Sequence, residues 1–313
     1  MTNKVDMSVT LAGMTMKNPV VVASGTFGFG REYGQFYPID ELGGICVKGL
    51  TLHRREGNPP PRIAETPMGI LNSVGLQNPG VDGFIACELP ELKKHDVRVI
   101  ANISGNTPEE YGIMCAKLSE AGVDMIEVNI SCPNVKAGGL QYGVVPAMAA
   151  EVTAEAKKHS TVPVMVKLSP NVTDITEIAR AVEDAGADAV SLINTLRGMR
   201  IDVKTHRPIL HMNTGGLSGP AVLPVAVRMV WEVSNAVKIP VLGMGGVAKG
   251  EDAAQLMLAG ATAVAVGTAC FADPYAPAKV RDGLAEIAAQ QCFAKVSELT
   301  GKVIPWLSNS KRE

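Results

Sequence analysis

Aromatic residues make up only 4% of this chain, and its formal net charge is −2. Neither the stacking platform nor the basic stripe that nucleic-acid binding requires is visible, so small molecules are the expected partners. No apolar run approaches the roughly 20 residues of a membrane span, and Met1 to Asp6 lacks the basic-then-apolar character of a signal peptide. A cytoplasmic protein is expected. The cysteines at 46, 87, 115, 132, 270 and 292 include no Cys-x-x-Cys pair, which argues against zinc ribbons and iron–sulfur sites. Disulfide frameworks belong to small secreted chains, so most of these thiols are expected to be buried small hydrophobes. The histidines at 53, 95, 159, 206 and 211 include no His-x-x-x-His pair, and no metal site is expected.

What the chain does have is apolar mass. Hydrophobic residues reach 46% and charged residues only 19%, enough to fill a large core. A length of 313 residues accommodates two average domains or one α/β barrel with insertions. A local phrase recurs: Ala121-Gly122-Val123-Asp124, Ala185-Gly186-Ala187-Asp188 and Ala259-Gly260-Ala261-Thr262, each followed by an apolar run. Glycine after a helix can take the left-handed conformation that ends it, and the runs Met125 to Val128, Ala189 to Ile193 and Ala263 to Val266 read as buried parallel strands. Val162-Pro163-Val164 and Ile239-Pro240-Val241 introduce two more, with proline outside the ladder at the strand start. Val20 to Ala23, Ile45 to Lys48 and Val97 to Ile103 complete a set of eight, mostly separated by helical stretches. One helix opens at Thr107-Pro108-Glu109-Glu110 with a cap, a first-turn proline and two acids. The pattern favours a single (β/α)8 TIM-barrel domain over residues 1–313, although a doubly wound sheet has the same local signature.

In barrel enzymes the residues just beyond each strand's C-terminal end build the active site. The unusual residues fall there: Ser24-Gly25, Lys48-Gly49, Asn102, Asn129 to Cys132, Lys167, Asn194-Thr195, Gly245-Gly246 and Gly267-Thr268. Gly243-Met244-Gly245-Gly246 and Val266-Gly267-Thr268 follow strands seven and eight, where backbone amides and a helix start suit a phosphate. Gly243-x-Gly245-x-x-Ala248 also fits a loose dinucleotide fingerprint, but no acid follows at the spacing a ribose contact requires. Cys132 precedes Pro133 and so sits on a loop, and Gly138-Gly139 beyond it suits a lid.

Asn129-Ile130-Ser131-Cys132-Pro133-Asn134 resembles the catalytic loop of the dihydroorotate dehydrogenase family, and companion motifs follow along nearly the whole chain. Asn72-Ser73-Val74-Gly75-Leu76-Gln77-Asn78 resembles its substrate loop, Val166-Lys167-Leu168-Ser169-Pro170-Asn171 its flavin lysine, and Ile193-Asn194-Thr195 a second substrate edge. Gly215-Gly216-Leu217-Ser218-Gly219-Pro220-Ala221 and Gly243-Met244-Gly245-Gly246-Val247 are similar to its late flavin loops. A cysteine base marks class 1. Gln77-Asn78-Pro79 and Phe27-Gly28-Phe29-Gly30 are closer to the NAD-linked class 1B catalytic subunit than to fumarate-linked class 1A.

The resemblance implies oxidation of (S)-dihydroorotate to orotate in pyrimidine (UMP) biosynthesis, with Cys132 taking the C5 proton and C6 giving hydride to FMN N5. It implies substrate contacts from Lys48, Asn72, Ser73, Val74, Gly75, Leu76, Asn129, Asn194 and Thr195. The implied FMN contacts are Ser24, Lys48, Gly49, Asn102, Asn129, Lys167, Ile193, Gly219, Gly245, Gly246, Gly267 and Thr268. It further implies a partner subunit carrying FAD and a [2Fe-2S] cluster that passes electrons to NAD, and a homodimer within a heterotetramer. Alternatives left open by the residues are a class 1A enzyme, a flavin barrel acting on dihydropyrimidines, and a non-redox barrel binding a phosphorylated metabolite.

Overall fold

The computed structural model describes residues 5–131 and 142–306. Its centre is a closed barrel whose strands neighbour one another in chain order. They are Val20–Val22, Gly44–Cys46, Arg98–Ile103, Met125–Asn129, Val164–Lys167, Ala189–Leu192, Val241–Met244 and Ala263–Val266, and are here called strands one to eight. All pairs are parallel, and strand eight pairs with strand one to close the ring. Closure settles the choice that local sequence left open. The strands are almost wholly buried on both faces, which explains why they read as continuous apolar runs rather than alternating ones. Among the described residues no helix is long and apolar enough to cross a membrane.

The repeated phrase has a structural reason. Gly122, Gly186 and Gly260 all take positive φ after the helices Pro108–Ala121, Ile175–Asp184 and Gly250–Leu258. The next polar residue then meets the start of the preceding strand in two directions. Asp124 N donates to Val99 O at 3.0 Å while its Oδ2 accepts from Val99 N at 2.8 Å. Asp188 repeats this with Val164, at 2.8 and 2.7 Å. Each aspartate acts as a strand partner for one residue, satisfying backbone groups the ladder does not reach. In the third copy, Thr262 N bonds Val241 O at 2.8 Å. Pro163 and Pro240 lie outside the ladder as donors but serve it as acceptors, from Ile126 N and Val190 N at 3.0 and 3.1 Å.

Strand two is shifted from its sequence-based limits. Lys48 leaves the ladder and its N–H bonds Gly28 O at 3.1 Å, which aims residues 48 and 49 across the barrel's open end. Thr107 caps its helix through Glu110 N at 3.4 Å, as the motif predicts. An antiparallel sheet that the strand count did not include joins Leu196–Gly198, Gly215–Ser218, Gly69–Asn72 and Ile63–Thr66. It grows from the connections after strands two and six around a small cluster of Ala64, Leu71 and Leu210. Asn72 and Gly215 to Ser218, read from sequence as loop residues, therefore stand on strands.

Candidate active site

A cavity of about 690 Å³ opens between the C-terminal strand ends and the inserted sheet, within the size range of small-molecule sites. Ser24, Lys48, Gly49, Asn102, Asn129 and Lys167 line it from strands one to five and the turns beyond them. Ile193, Asn194, Thr195 and Gly219 enter after strand six, and Gly245, Gly246, Gly267 and Thr268 after strands seven and eight. Asn72, Val74, Gly75 and Leu76 reach it from the inserted connection. Ser73, between them, does not line the cavity: its side chain is fully buried and its N–H bonds Arg62 O at 2.8 Å. Cys132, the candidate base, lies outside the described residues, as do Pro133 to Gln141.

The cavity floor rests on a residue that the sequence reading placed inside an apolar run. Glu127 is fully buried on strand four, one pleat below Asn129. Its Oε2 accepts from Asn102 Nδ2 at 2.5 Å and from Cys46 Sγ at 3.0 Å, and its Oε1 accepts from Ser191 Oγ at 2.6 Å. Lys167 Nζ, also buried, stands 3.9 Å from Oε2. Burial and the Glu127 charge push the Cys46 thiol well above its ordinary pKa, so it stays protonated and donates. The only sequence signal for this hub was the strand's period of two, which puts Met125, Glu127 and Asn129 on one face.

Asn102 is thereby given a direction. Its amide nitrogen is committed to Glu127, while its Oδ1 is buried without a hydrogen-bond partner. A buried acceptor in that condition costs stability unless something donates to it. Gly49 leaves room at this point, since a Cβ there would stand 2.8 Å from Oδ1.

One wall is a chain of polar side chains. Ser131 donates from N and Oγ to Asn129 Oδ1 at 3.1 and 2.8 Å, and Asn194 Nδ2 donates to Ser131 Oγ at 2.6 Å. Asn194 Oδ1 accepts from Thr195 N at 2.9 Å, and Asn171 Nδ2 holds Thr195 O at 3.0 Å. The oxygens of Asn129 and Asn194 are thus occupied, and the amide nitrogen of Asn129 is the group it has for a ligand's acceptor.

The opposite wall is the 73–78 loop. Gly75 and Leu76 both take positive φ, at 78° and 58°. Asn78 holds the second of these, donating to Leu76 O at 2.6 Å and Thr51 Oγ1 at 2.9 Å while accepting from Gly80 N and Thr51 N. Asn58 grips the other end, with Nδ2 on Ser73 O at 2.9 Å and N on Val74 O at 2.9 Å. Neither asparagine was singled out from sequence for this role, which depends on contacts made after folding.

The far wall is made of turns rich in glycine. Gly246 has φ +77°, and a Cβ there would fall 2.8 Å from Leu223 N. At Gly219, φ +109°, a Cβ would fall 2.6 Å from Gly69 Cα. Ser218 Oγ and Thr268 Oγ1 bond at 2.7 Å between these turns. These contacts show that both turns pack too tightly for a side chain; as cavity-lining groups, their backbone and the Ser218 and Thr268 hydroxyls suit the oxygens of a phosphate. Of the described thiols, Cys46, Cys115 and Cys270 are buried and Cys87 and Cys292 exposed. Burial raises Cys115 and Cys270 to about 12, so both are inert at neutral pH.

A family model described as dihydroorotate dehydrogenase matches residues 6–288. A protein of Anoxybacillus flavithermus named dihydroorotate dehydrogenase B (NAD(+)), catalytic subunit, is 54% identical over 297 residues, covering 95% of each chain. Proteins of the same name from Alkaliphilus oremlandii and Geobacillus kaustophilus are also 54% identical, each over 95% of this chain and over 99% and 95% of their own.

Proposed function

The chain belongs to the dihydroorotate dehydrogenase family, and from that premise we propose that it is the FMN-carrying catalytic subunit of an NAD-linked, class 1B enzyme acting in the cytoplasm. It oxidises (S)-dihydroorotate to orotate in pyrimidine biosynthesis. The observation that carries the cofactor assignment is the floor. Asn102 Oδ1, a buried acceptor without a donor, suits the ring N–H of a flavin, and the buried Lys167 beside it suits the electron-rich N1/O2 edge. The glycine turns at Gly219 and Gly245-Gly246, with Gly267 and Thr268, fit the phosphate end. Ser24, Lys48, Gly49, Asn129 and Ile193 complete the flavin's surroundings.

When bound, the flavin supplies the acceptor for the hydride that leaves C6 of the substrate. The chain's own residues do the rest. Lys48, Asn72, Asn194, Thr195 and the Asn129 amide meet the carboxylate and amide edges of dihydroorotate, with backbone N–H groups of Val74 to Leu76 adding to them. The Ser131 bridge keeps Asn129 and Asn194 in one fixed relation, so the ring is oriented before reaction rather than during it. Cys132, next in sequence to that bridge, takes the C5 proton as a thiolate. An ordinary thiol titrates at about 8.5, so the proton-abstraction step should quicken as pH rises through neutrality.

No cluster of closely spaced cysteines exists in the chain to hold iron and sulfide. The relatives' name, catalytic subunit of an NAD(+)-linked enzyme, supports a second polypeptide that takes the electrons; it carries FAD and a [2Fe-2S] cluster, in a heterotetramer built on a homodimer of this chain. Purification tests the cofactor assignment: the chain is expected to be yellow and to release FMN on denaturation. A colourless chain that takes up no FMN on reconstitution contradicts it.

A further inference from the structure

The chemistry above makes no use of Glu127, yet that carboxylate is fully buried and gathers donors from strands two, three and six, with the Lys167 ammonium of strand five nearby. A carboxylate this deep is costly unless paired, and a merely structural pair is commonly replaceable by apolar packing. Here two of its neighbours, Asn102 and Lys167, also line the cavity.

We propose that Glu127 is a positioning residue for the bound flavin: it sets which end of the Asn102 amide meets the ring, and its charge offsets that of Lys167 and so tunes the flavin's reduction potential. This rests on the flavin assignment above. Asn102 has two amide ends of opposite character, and the 2.5 Å bond from Nδ2 to Glu127 selects the acceptor end for the ligand. The charge effect is separable from the orienting effect. In Glu127→Gln the amide oxygen can still accept from Asn102 Nδ2 and Cys46 Sγ, while the new N–H2 turns to Ser191 Oγ, a hydroxyl able to accept. Orientation survives and the negative charge is gone. Lys167 is then uncompensated, and an uncompensated positive charge favours the electron-rich reduced ring. The potential moves positive. In Glu127→Leu both functions are removed.

The test compares wild type, Glu127→Gln and Glu127→Leu by FMN fluorescence titration and by dye-coupled measurement of the bound flavin's midpoint potential. Expected are a more positive midpoint with near-normal FMN affinity for the Gln variant, and at least about a tenfold loss of FMN affinity for the Leu variant, corresponding to loss of one oriented buried hydrogen bond. A Gln variant with the wild-type midpoint overturns the proposal, because a purely structural Glu127 would lower stability without moving the potential. That result decides the matter even where the Leu variant does not fold. A folded Leu variant with wild-type FMN affinity overturns the orienting role. Failure of the wild-type chain itself to bind FMN overturns the flavin assignment and this inference with it.

Discussion

The two ends of the barrel are made from the same repeating unit and differ in how completely their polar groups are used. At the N-terminal end, side chains saturate the backbone where strands begin. Asn18 Oδ1 accepts from Val20 N at 3.1 Å, Asp124 and Asp188 serve Val99 and Val164, and Glu183 Oε1 accepts from Lys238 N and Ile239 N at 2.6 and 3.1 Å. These contacts stand at strands one, three, five and just ahead of seven. At the C-terminal end, Asn102, which lines the cavity, has its Oδ1 buried without a partner; Ser73 Oγ is also unpaired, but Ser73 does not line the cavity. The remaining such atom among the described residues is Tyr37 Oη, in the connection after strand one and beside Tyr275 in the connection after strand eight. One end is closed on itself for stability, and the other keeps hydrogen-bonding capacity for a ligand.

Substitutions at the open end should therefore change chemistry with little change in stability. The largest effect is expected for Cys132→Ala, which removes the proposed base. Flavin reduction by dihydroorotate should slow by about 10²- to 10⁴-fold in single-turnover kinetics, with orotate binding and the melting temperature largely retained. Near-normal reduction would assign the proton to another group.

The closed end should show the opposite. Asp124→Ala strips a hydrogen bond from Val99 N and an ion pair from Arg98, and is expected to lower unfolding free energy by about 1–3 kcal/mol in urea titration. The rate of flavin reduction should not change. A variant with wild-type stability and impaired chemistry would break the division between the ends.

A smaller effect sharpens it through pH. The His95 ring and the Asp96 N–H bond the Asp40 carboxyl, holding it below the usual carboxylate range. A depressed carboxylate stabilises the fold above its unfolded pKa and loses that contribution as pH falls through the folded value. The stability difference between wild type and Asp40→Asn should be present at pH 7 and fade under acid. Because Asp40 is 40% exposed, the difference should be slight and reduced by salt. A difference that grows on acidification contradicts the assignment.

Part of this division was legible in the sequence, for local reasons. The Ala-Gly-x-Asp phrase marked helix ends because glycine's positive φ is a local demand, whereas the aspartate bonds to the preceding strand, across 25 residues for Asp124 and 24 for Asp188, were not read from it. The cavity residues at strand ends were legible because parallel strands end together, so a polar residue closing an apolar run points to one face of the barrel; Asn72, Val74, Gly75, Leu76 and Gly219 were reached only through the family resemblance. Glu127 was not found, since its partners Cys46, Asn102 and Ser191 come from other strands and meet it only when the ring closes. Inside an apolar strand a single acid carries no local sign of what surrounds it. The inserted sheet was missed for a related reason: Gly69–Asn72 and Gly215–Ser218 pair across 144 residues at Asn72 and Gly216, and Asn72 and Gly215 to Ser218 were read as loop residues.

The proposed function requires the open end to oxidise dihydroorotate with a flavin held on the Asn102 and Lys167 floor. Anaerobic titration of the purified chain with dihydroorotate, followed by flavin absorbance and by orotate formation, tests it most directly. The bound flavin should bleach, with orotate appearing in equal amount and no partner subunit needed for this half-reaction. A chain that holds FMN and keeps its full absorbance under excess dihydroorotate would contradict it.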